Sequence, residues 1–100
     1  MRFHNEYGFY ELNPLPGCNQ VVVSNHAFIY HKHRGFGHGA RQHEERLQKA
    51  TEMGYNLIMC TVKSDNVAEI HILKSHGWKR THTFQSTETL HFLEVWMKTL

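Results

Sequence analysis

The sequence predicts an α+β domain in which two helices pack against a mixed β-sheet. Three observations support this prediction. Residues 39–53 repeat apolar side chains at steps of three and four, as in a helix with one buried face. Residues 57–62 form a continuous apolar run of strand length. The stretches 78–84 and 90–97 alternate apolar and polar residues around a polar turn, as an antiparallel pair does.

The size and charge of the chain limit its function. One hundred residues allow a single domain with one modest core, here residues 1–100. The 11 Lys and Arg residues nearly balance the 9 Asp and Glu residues and form no basic stripe, so we expect no nucleic-acid partner. No apolar run approaches the roughly 18 residues that span a bilayer, and the polar N-terminus is no signal peptide. We therefore expect a soluble, cytoplasmic protein without membrane contact, with Cys18 and Cys60 as reduced thiols.

The first third of the chain is rich in residues typical of strands. Residues 2–12 are interpreted as one strand, or as a strand with a bulge or tight turn at Gly8, and prolines then end it. The β-rich runs 21–23 and 27–30 are compatible with two strands or with one long strand bent by a bulge. In both cases a strand leads directly into a segment of histidines and glycines.

The first predicted helix spans residues 39–53 and closes at Gly54, a residue suited to the left-handed position after a helix. Its apolar stripe includes His43, which we interpret as a half-buried histidine with a local hydrogen bond rather than a catalytic group. The stripe consists of Ala40, His43, Leu47, Ala50 and Met53. The residues between them are expected to form a solvated face: Arg41, Gln42, Glu44, Glu45, Arg46, Gln48, Lys49 and Glu52.

The second half of the chain supplies the centre of the sheet. The apolar run 57–62 is typical of a central strand covered on both faces. Ser64 or Asp65 is expected to cap a second helix over residues 66–76, which Gly77 ends. The side chains that this helix is predicted to bury are Val67, Ile70 and Leu73, with Ile72 as a further candidate.

Three alternating glycines follow the strand-rich region, in the segment Arg34-Gly35-Phe36-Gly37-His38-Gly39. Glycine leaves room for a ligand and permits positive φ, so successive backbone N–H groups of such a turn can point at one anion. A helix that starts here adds its unpaired N-terminal amides and the positive end of its dipole. The spacing is neither that of a dinucleotide-binding turn nor that of a P-loop. We predict that the segment binds a pyrophosphate.

Two separated patterns resemble those of the Gcn5-related N-acetyltransferase (GNAT) family. The first is Arg-x-x-Gly-x-Gly over residues 34–39, which is similar to the family's loop for the pyrophosphate of coenzyme A. The second is Asn66, which stands eleven residues before Gly77 and the aromatic residue Trp78. The two patterns are in register with each other over residues 27–78.

The resemblance implies the acyl-CoA N-acyltransferase-like fold, a three-layer α/β arrangement with a mostly antiparallel sheet and two main helices. The family's fourth and fifth strands, here the strand before the glycines and residues 57–62, run parallel and splay apart. The resemblance also implies that acetyl-CoA is the co-substrate and that an amine of a small molecule or a protein attacks its thioester directly. Compared with the family, the chain lacks the usual N-terminal strand and two helices. The substrate pocket is therefore expected to be open, or completed by another subunit as in a homodimer.

By the same resemblance, particular residues are expected to hold acetyl-CoA. Ala27 and Ile29 would offer backbone hydrogen bonds to the pantetheine arm, and the N–H of Ile29 would also stabilise the oxyanion of the thioester carbonyl. Asn66 would contact the pantetheine amide. The pyrophosphate would bind main-chain N–H groups of Arg34, Gly35, Phe36, Gly37, His38, Gly39 and Ala40.

The acid and the base of the reaction are less well defined by the sequence. Leu73 stands where the family often has a tyrosine that protonates the departing thiolate, and leucine cannot donate a proton. We name His31 as the first candidate for the base, with His26, His71 and Cys60 as alternatives.

Two other kinds of function are compatible with parts of the sequence. The protein could keep the fold, or only the coenzyme site, and act by binding a partner. Leu73 favours this alternative, whereas the three glycines disfavour it because glycine outside special turns destabilises a fold. The histidines of residues 31–43 could hold a metal, but no cysteine or carboxylate recurs at zinc-binding spacing, so we expect none.

Overall fold

The computed structural model describes residues 1–100 and contains six strands, two α-helices and one 3₁₀ turn. In chain order the elements are β1 (Arg2–Asn5), β2 (Gly8–Pro14), β3 (Val21–Ile29), the 3₁₀ turn (His31–His33), α1 (His38–Glu52), β4 (Leu57–Lys63), α2 (Val67–Ser75), β5 (Lys79–Gln85) and β6 (Phe92–Thr99). The two helices and the last three strands follow the predicted order, with boundaries shifted by one or two residues.

The six strands form one mixed sheet in the order β1-β2-β3-β4-β6-β5. Strands β3 and β4 are parallel, and every other neighbouring pair is antiparallel. The parallel pairing covers only Val21–Val23 against Leu57–Met59, although both strands continue beyond it. The expected sheet is confirmed: mostly antiparallel, with one parallel pair that splays apart.

Strand β3 is one long strand bent by a bulge, the second of the two alternatives that its sequence allows. Phe9 lies opposite Phe28, whereas Glu11 lies opposite Asn25, so β3 contributes one extra residue to this stretch of the ladder. The extra residue falls at the bend, where His26 has a positive φ of 52°. A bulge bends the strand that carries it. The bend thus lies where β3 has left β4.

The N-terminal prediction of one interrupted strand over residues 2–12 is wrong in detail. The structure has two antiparallel strands, β1 and β2, joined by a turn at Glu6 and Tyr7. Gly8 is the first residue of β2 rather than part of a turn. A Cβ atom at Gly8 would overlap the backbone carbonyl oxygen of Phe28. Glycine stands there because the backbones of β2 and β3 approach closely.

Both helices pack against the same face of the sheet. The apolar core between them and the strands consists of Tyr10, Leu12, Val22, Ala50, Ile58, Cys60, Val62, Leu73, Trp78 and Trp96. The prediction that β4 is covered on both faces is therefore wrong. Ile58, Cys60 and Val62 are buried, but Met59 is only half-buried and Thr61 is exposed on the opposite face.

Three details of the helices also differ from prediction. Gln42 and Arg46, expected on the solvated face of α1, are buried with 2% and 5% exposure. Val67, expected in the core, is 74% exposed because it is the first residue of α2. The cap of α2 is Asn66 rather than Ser64 or Asp65, since the Asn66 side chain accepts the N–H of Glu69 at 3.2 Å.

Neither helix is long and apolar enough to cross a membrane.

Candidate active site

The segment Arg34–Gly39, hereafter the glycine loop, has the backbone of an anion-binding turn. Gly35 and Gly37 have φ values of 85° and 79°, in the left-handed region that favours glycine. Six consecutive N–H groups, from Gly35 to Ala40, donate to no acceptor within the protein. The last three belong to the first turn of α1, whose dipole is positive at this end. The loop therefore contains six successive donors that have no partner within the protein.

Side chains on both sides hold the glycine loop in this shape. Arg34 donates from Nε to the carbonyl oxygen of Ile29 at 2.9 Å, and its guanidinium lies 4.9 Å from the centre of the Phe28 ring. His38 stacks on Tyr7 with ring centres 4.3 Å apart. These contacts fix both ends of the loop to β3 and to the β1–β2 turn.

Ile29, at the end of β3, has its N–H directed away from β2. The N–H of Tyr30 donates to the carbonyl of Tyr7 at 2.8 Å, so these two residues form a hydrogen-bonded pair of the antiparallel ladder. Ladder bonds alternate, so at Ile29, which lies opposite Gly8, the polar groups point to the other side of β3. No strand pairs with β3 on that side beyond Val23. The Ile29 N–H is thus directed toward the space between β3 and α2.

That space is a cleft of about 450 Å³, hereafter the loop cleft. Helix α2 forms its second wall with Asn66, Ala68, Glu69 and Ile72. The structure brings eight of the predicted cofactor-binding residues to the loop cleft, namely Ala27, Ile29, Arg34, Gly35, Gly37, His38, Gly39 and Asn66. Phe36 and Ala40 do not line it, and the Phe36 side chain is 66% exposed.

A second cavity of about 420 Å³, hereafter the splay cavity, lies where β3 and β4 separate. Its walls include polar residues of β3, Cys60 and Lys63 of β4, and Arg46 of α1. The two spaces share Ala27, Asn66 and Glu69 as lining residues. The two spaces therefore adjoin each other at these residues, between the glycine loop and the gap between the parallel strands.

A buried cluster of His43, Arg46 and Trp78 lies beside the splay cavity. His43 is 1% exposed and accepts a hydrogen bond at Nε2 from Trp78 Nε1 at 3.0 Å. Burial, reinforced by the neighbouring Arg46 cation, lowers the pKa of His43 to about 3. The side chain is therefore neutral at physiological pH. His43 is fully buried rather than half-buried as predicted, and its partner Trp78 is distant in sequence rather than local.

The candidate bases occupy different environments. His31 lies exposed on the 3₁₀ turn and lines neither the loop cleft nor the splay cavity. His71 is exposed on α2 and also lines neither, whereas His26 and Cys60 line the splay cavity. Burial raises the pKa of the Cys60 thiol to about 12, which keeps it protonated. Leu73 is fully buried in the core.

Sequence reasoning missed Arg46 and Glu69. Periodicity placed Arg46 on the outer face of α1, although it stands three residues after His43 of the buried stripe and so shares its side of the helix. Nothing in the sequence around Glu69 indicated a function, because its proposed role depends on its position where the two cavities meet.

No three His, Cys, Asp or Glu side chains lie close enough together to hold a metal ion. Of the histidines in residues 31–43, His33 and His38 have ring centres 5.9 Å apart, and His43 is in the core.

Three solved structures share this architecture. A GNAT family acetyltransferase from Elizabethkingia anophelis with acetyl-CoA bound matches 98% of this chain and 72% of its own with a TM-score of 0.83, at 13% identity. The chain has the GNAT fold. The ribosomal-protein-S18-alanine N-acetyltransferase from Escherichia coli matches 99% of it and 68% of its own, with a TM-score of 0.81 and 12% identity. A Salmonella typhimurium protein solved with its cofactor acetyl-CoA matches 94%, with a TM-score of 0.80 and 18% identity.

These likenesses confirm the resemblance to GNAT proteins at the level of the fold. The chain spans 58% of the length of the Salmonella typhimurium protein. No protein-family model matches the sequence, and no curated protein matches it either.

Proposed function

We propose that the protein is a GNAT family N-acetyltransferase, which transfers the acetyl group of acetyl-CoA to an amine. The observation that carries the proposal is the run of six unpaired N–H groups from Gly35 to Ala40, in a loop that borders the loop cleft. A pyrophosphate offers several anionic oxygens to such donors. Two of the structural neighbours were solved with acetyl-CoA, which supports the choice of ligand.

In this proposal the coenzyme lies along the loop cleft. Its pyrophosphate binds the glycine loop, and its pantetheine arm runs between β3 and α2 past the backbone of Ala27 and Ile29. Asn66 contributes from α2. Its Oδ1 atom is occupied by the N–H of Glu69, so its Nδ2 group remains free to donate to a pantetheine carbonyl.

The chemistry takes place where the loop cleft and the splay cavity meet. A neutral amine in the splay cavity attacks the thioester carbonyl carbon, and the N–H of Ile29 stabilises the negative charge that develops on the carbonyl oxygen. The C–S bond then breaks, and the amine nitrogen loses a proton. The enzyme's main contribution is the alignment of the two reactants.

Proton transfer uses groups at that junction. Glu69 is the carboxylate that lines both spaces, and we propose that it accepts the proton of the amine in place of the exposed His31. Leu73 is buried and supplies no acid. A thiolate with a pKa of about 8.5 is a tolerable leaving group, so it departs unaided at some cost in rate.

The acceptor class is open to direct test. One structural neighbour is a ribosomal-protein-S18-alanine N-acetyltransferase and another is a NatC complex bound to a Gag peptide, so protein amines and small amines both belong in a panel. We expect the purified protein to release free thiol from acetyl-CoA only when an amine is present, and mass spectrometry to find the amine heavier by one acetyl group. Binding of acetyl-CoA without transfer to any amine would instead support a protein that acts by association.

A further inference from the structure

The splay cavity contains a buried cation whose hydrogen-bonding groups are not all used. Arg46 is 5% exposed and lines the cavity from α1. Its NH1 group donates to Ser24 Oγ at 3.1 Å, and its NH2 group lies 3.4 Å from Glu69 Oε1. Its Nε atom also has no partner, but it is fully buried and therefore out of reach of a molecule in the cavity. A buried guanidinium normally satisfies its N–H groups, because each one left unpaired is costly.

His43 does not provide acceptors for the remaining N–H groups of Arg46. Its Nδ1 atom lies 3.1 Å from Arg46 NH2, and its Nε2 atom lies 3.0 Å from the indole N–H of Trp78. A neutral imidazole accepts at one nitrogen only, so it serves Arg46 or Trp78 and not both. At most three of the five N–H groups of Arg46 therefore have an acceptor in the protein, and one of these three contacts competes with Trp78.

The charges around the cavity leave it positive. Two cations, Arg46 and Lys63, face one carboxylate, Glu69. His26 is the remaining basic group on the wall, and the other polar groups are the uncharged side chains of Ser24, Asn25, Thr61 and Asn66. No ion pair involves Lys63. The cavity thus favours a ligand that carries a negative charge.

We propose that the acceptor amine carries a carboxylate, and that Arg46 binds this carboxylate in the splay cavity. The inference rests on the proposed acetyl transfer and names its substrate class. A carboxylate pairs favourably with a guanidinium, and it can accept the NH1 hydrogen that has no acceptor in the protein. Glu69, beside Arg46, lies on the side of the loop cleft, where it is placed to meet the amine end of the same molecule.

The cavity size agrees with this ligand class. About 420 Å³ is within the range of small-molecule sites and accommodates an amino-acid-sized molecule.

The test compares amines that differ only in the carboxylate. Glycine, β-alanine and γ-aminobutyrate place the carboxylate one, two and three carbons from the amine, and each is compared with its own carboxamide. The readout is kcat/KM for thiol release from acetyl-CoA. We expect kcat/KM for at least one acid to exceed that for its carboxamide by about 10-fold or more, because a charge-assisted hydrogen bond contributes a free energy of this size. The carboxamides lose their ammonium proton more easily, so chemical reactivity alone would give the opposite order.

Variants then assign the preference to Arg46. Arg46→Met should lower the acid-to-carboxamide ratio to below about 2, whereas Arg2→Met, which removes a surface arginine paired with Glu11, should leave it unchanged. Circular dichroism at 20 °C checks that both variants are folded. A ratio near one for all three wild-type pairs would overturn the inference even if Arg46→Met does not fold, and so would a folded Arg46→Met variant that keeps the wild-type preference.

Binding measurements separate this inference from the proposed function. If no amine is acetylated, calorimetric titration of the N-acetylated acids and carboxamides, with and without saturating coenzyme A, tests the cavity directly. Tighter binding of the acids supports the carboxylate site whether or not acetyl transfer occurs. Acetylation of acids and carboxamides at equal rates would overturn the carboxylate site and leave the acetyltransferase intact.

Discussion

His43 illustrates how burial determines the chemistry of a side chain. In an exposed position it would titrate near neutral pH, but here it is enclosed between α1 and Trp78 and stays neutral because a charge would lose its hydration. Its role is to accept the indole N–H of Trp78, which would otherwise be a buried donor without a partner. Because the buried imidazole stays neutral, the folded protein becomes less stable relative to the unfolded chain as the pH falls.

The stability of the protein should therefore depend on His43 below neutral pH. Because the folded-state pKa, about 3, is below the unfolded value of about 6.5, the unfolded chain binds a proton in this interval that the folded chain does not. We expect the contribution of His43 to unfolding free energy to fall by about 1.4 kcal/mol for each pH unit below 6.5. When unfolding free energy is measured in urea at pH 7, 6 and 5, the His43→Gln variant should lack this part of the dependence on pH.

The exposed His71→Gln variant is the control, and it should retain the wild-type dependence on pH. Parallel slopes for wild type and His43→Gln would show that the buried imidazole is not the group responsible.

Helix α2 shows how far sequence reasoning reaches for one element. Periodicity located the helix and its buried residue Leu73, but it placed Val67 in the core, although the first residue of α2 faces solvent. The same limitation affected α1. Gln42 is buried because its side chain donates to the carbonyls of Phe9 and Phe28, which are distant in sequence. Polarity alone could not reveal partners that only the folded sheet supplies.

The burial of Leu73 leads to a prediction about the missing acid. Leu73→Tyr restores the residue type that GNAT proteins often have, but the side chain has no free space in the core. We expect a loss of about 1–3 kcal/mol in unfolding free energy from overpacking and no increase in amine-dependent thiol release. Val67→Tyr makes a comparable change at an exposed site of the same helix and should alter stability by about 0.5 kcal/mol or less. Faster thiol release by Leu73→Tyr would show that the hydroxyl reaches the thiolate.

The close approach of β2 to β3 gives a second prediction at the level of elements. Gly8→Ala places a methyl group on the carbonyl of Phe28, so the strand backbones must move apart. Unfolding free energy should fall by about 1–3 kcal/mol or more. In Gly39→Ala the new Cβ would lie 3.6 Å from Ile72 Cδ1, an ordinary contact, and stability should be unchanged or higher. Equal stability of Gly8→Ala and wild type in urea would contradict the tight packing of these strands.

The molecule as a whole is arranged around the separation of β3 from β4. Strand β3 is paired with β2 along most of its length but with β4 at only three residues, and its bulge lies just beyond that point. The gap leaves the N–H of Ile29 without a strand partner, and the two adjoining cavities along it are lined by the glycine loop and by Arg46. Three alternating glycines were enough to predict the loop, whereas the gap followed from the family resemblance. The charges inside the gap could be read only from the structure.

The central claim is that the backbone amides of the glycine loop bind the pyrophosphate of acetyl-CoA. Gly39→Asp tests it without weakening the fold, because Gly39 has no positive φ and an acidic residue in the first turn of α1 stabilises a helix by about 0.3–1 kcal/mol. The new carboxylate would stand beside the phosphates. Thr87→Asp adds the same charge in the turn before β6, away from both cavities.

Isothermal titration calorimetry with acetyl-CoA is the decisive measurement. Wild type and Thr87→Asp should bind with equal affinity, and Gly39→Asp should bind at least about 10-fold more weakly, as expected when a charge-assisted interaction is replaced by repulsion. Absence of binding to the wild-type protein at millimolar acetyl-CoA, or wild-type affinity in Gly39→Asp, would contradict the claim.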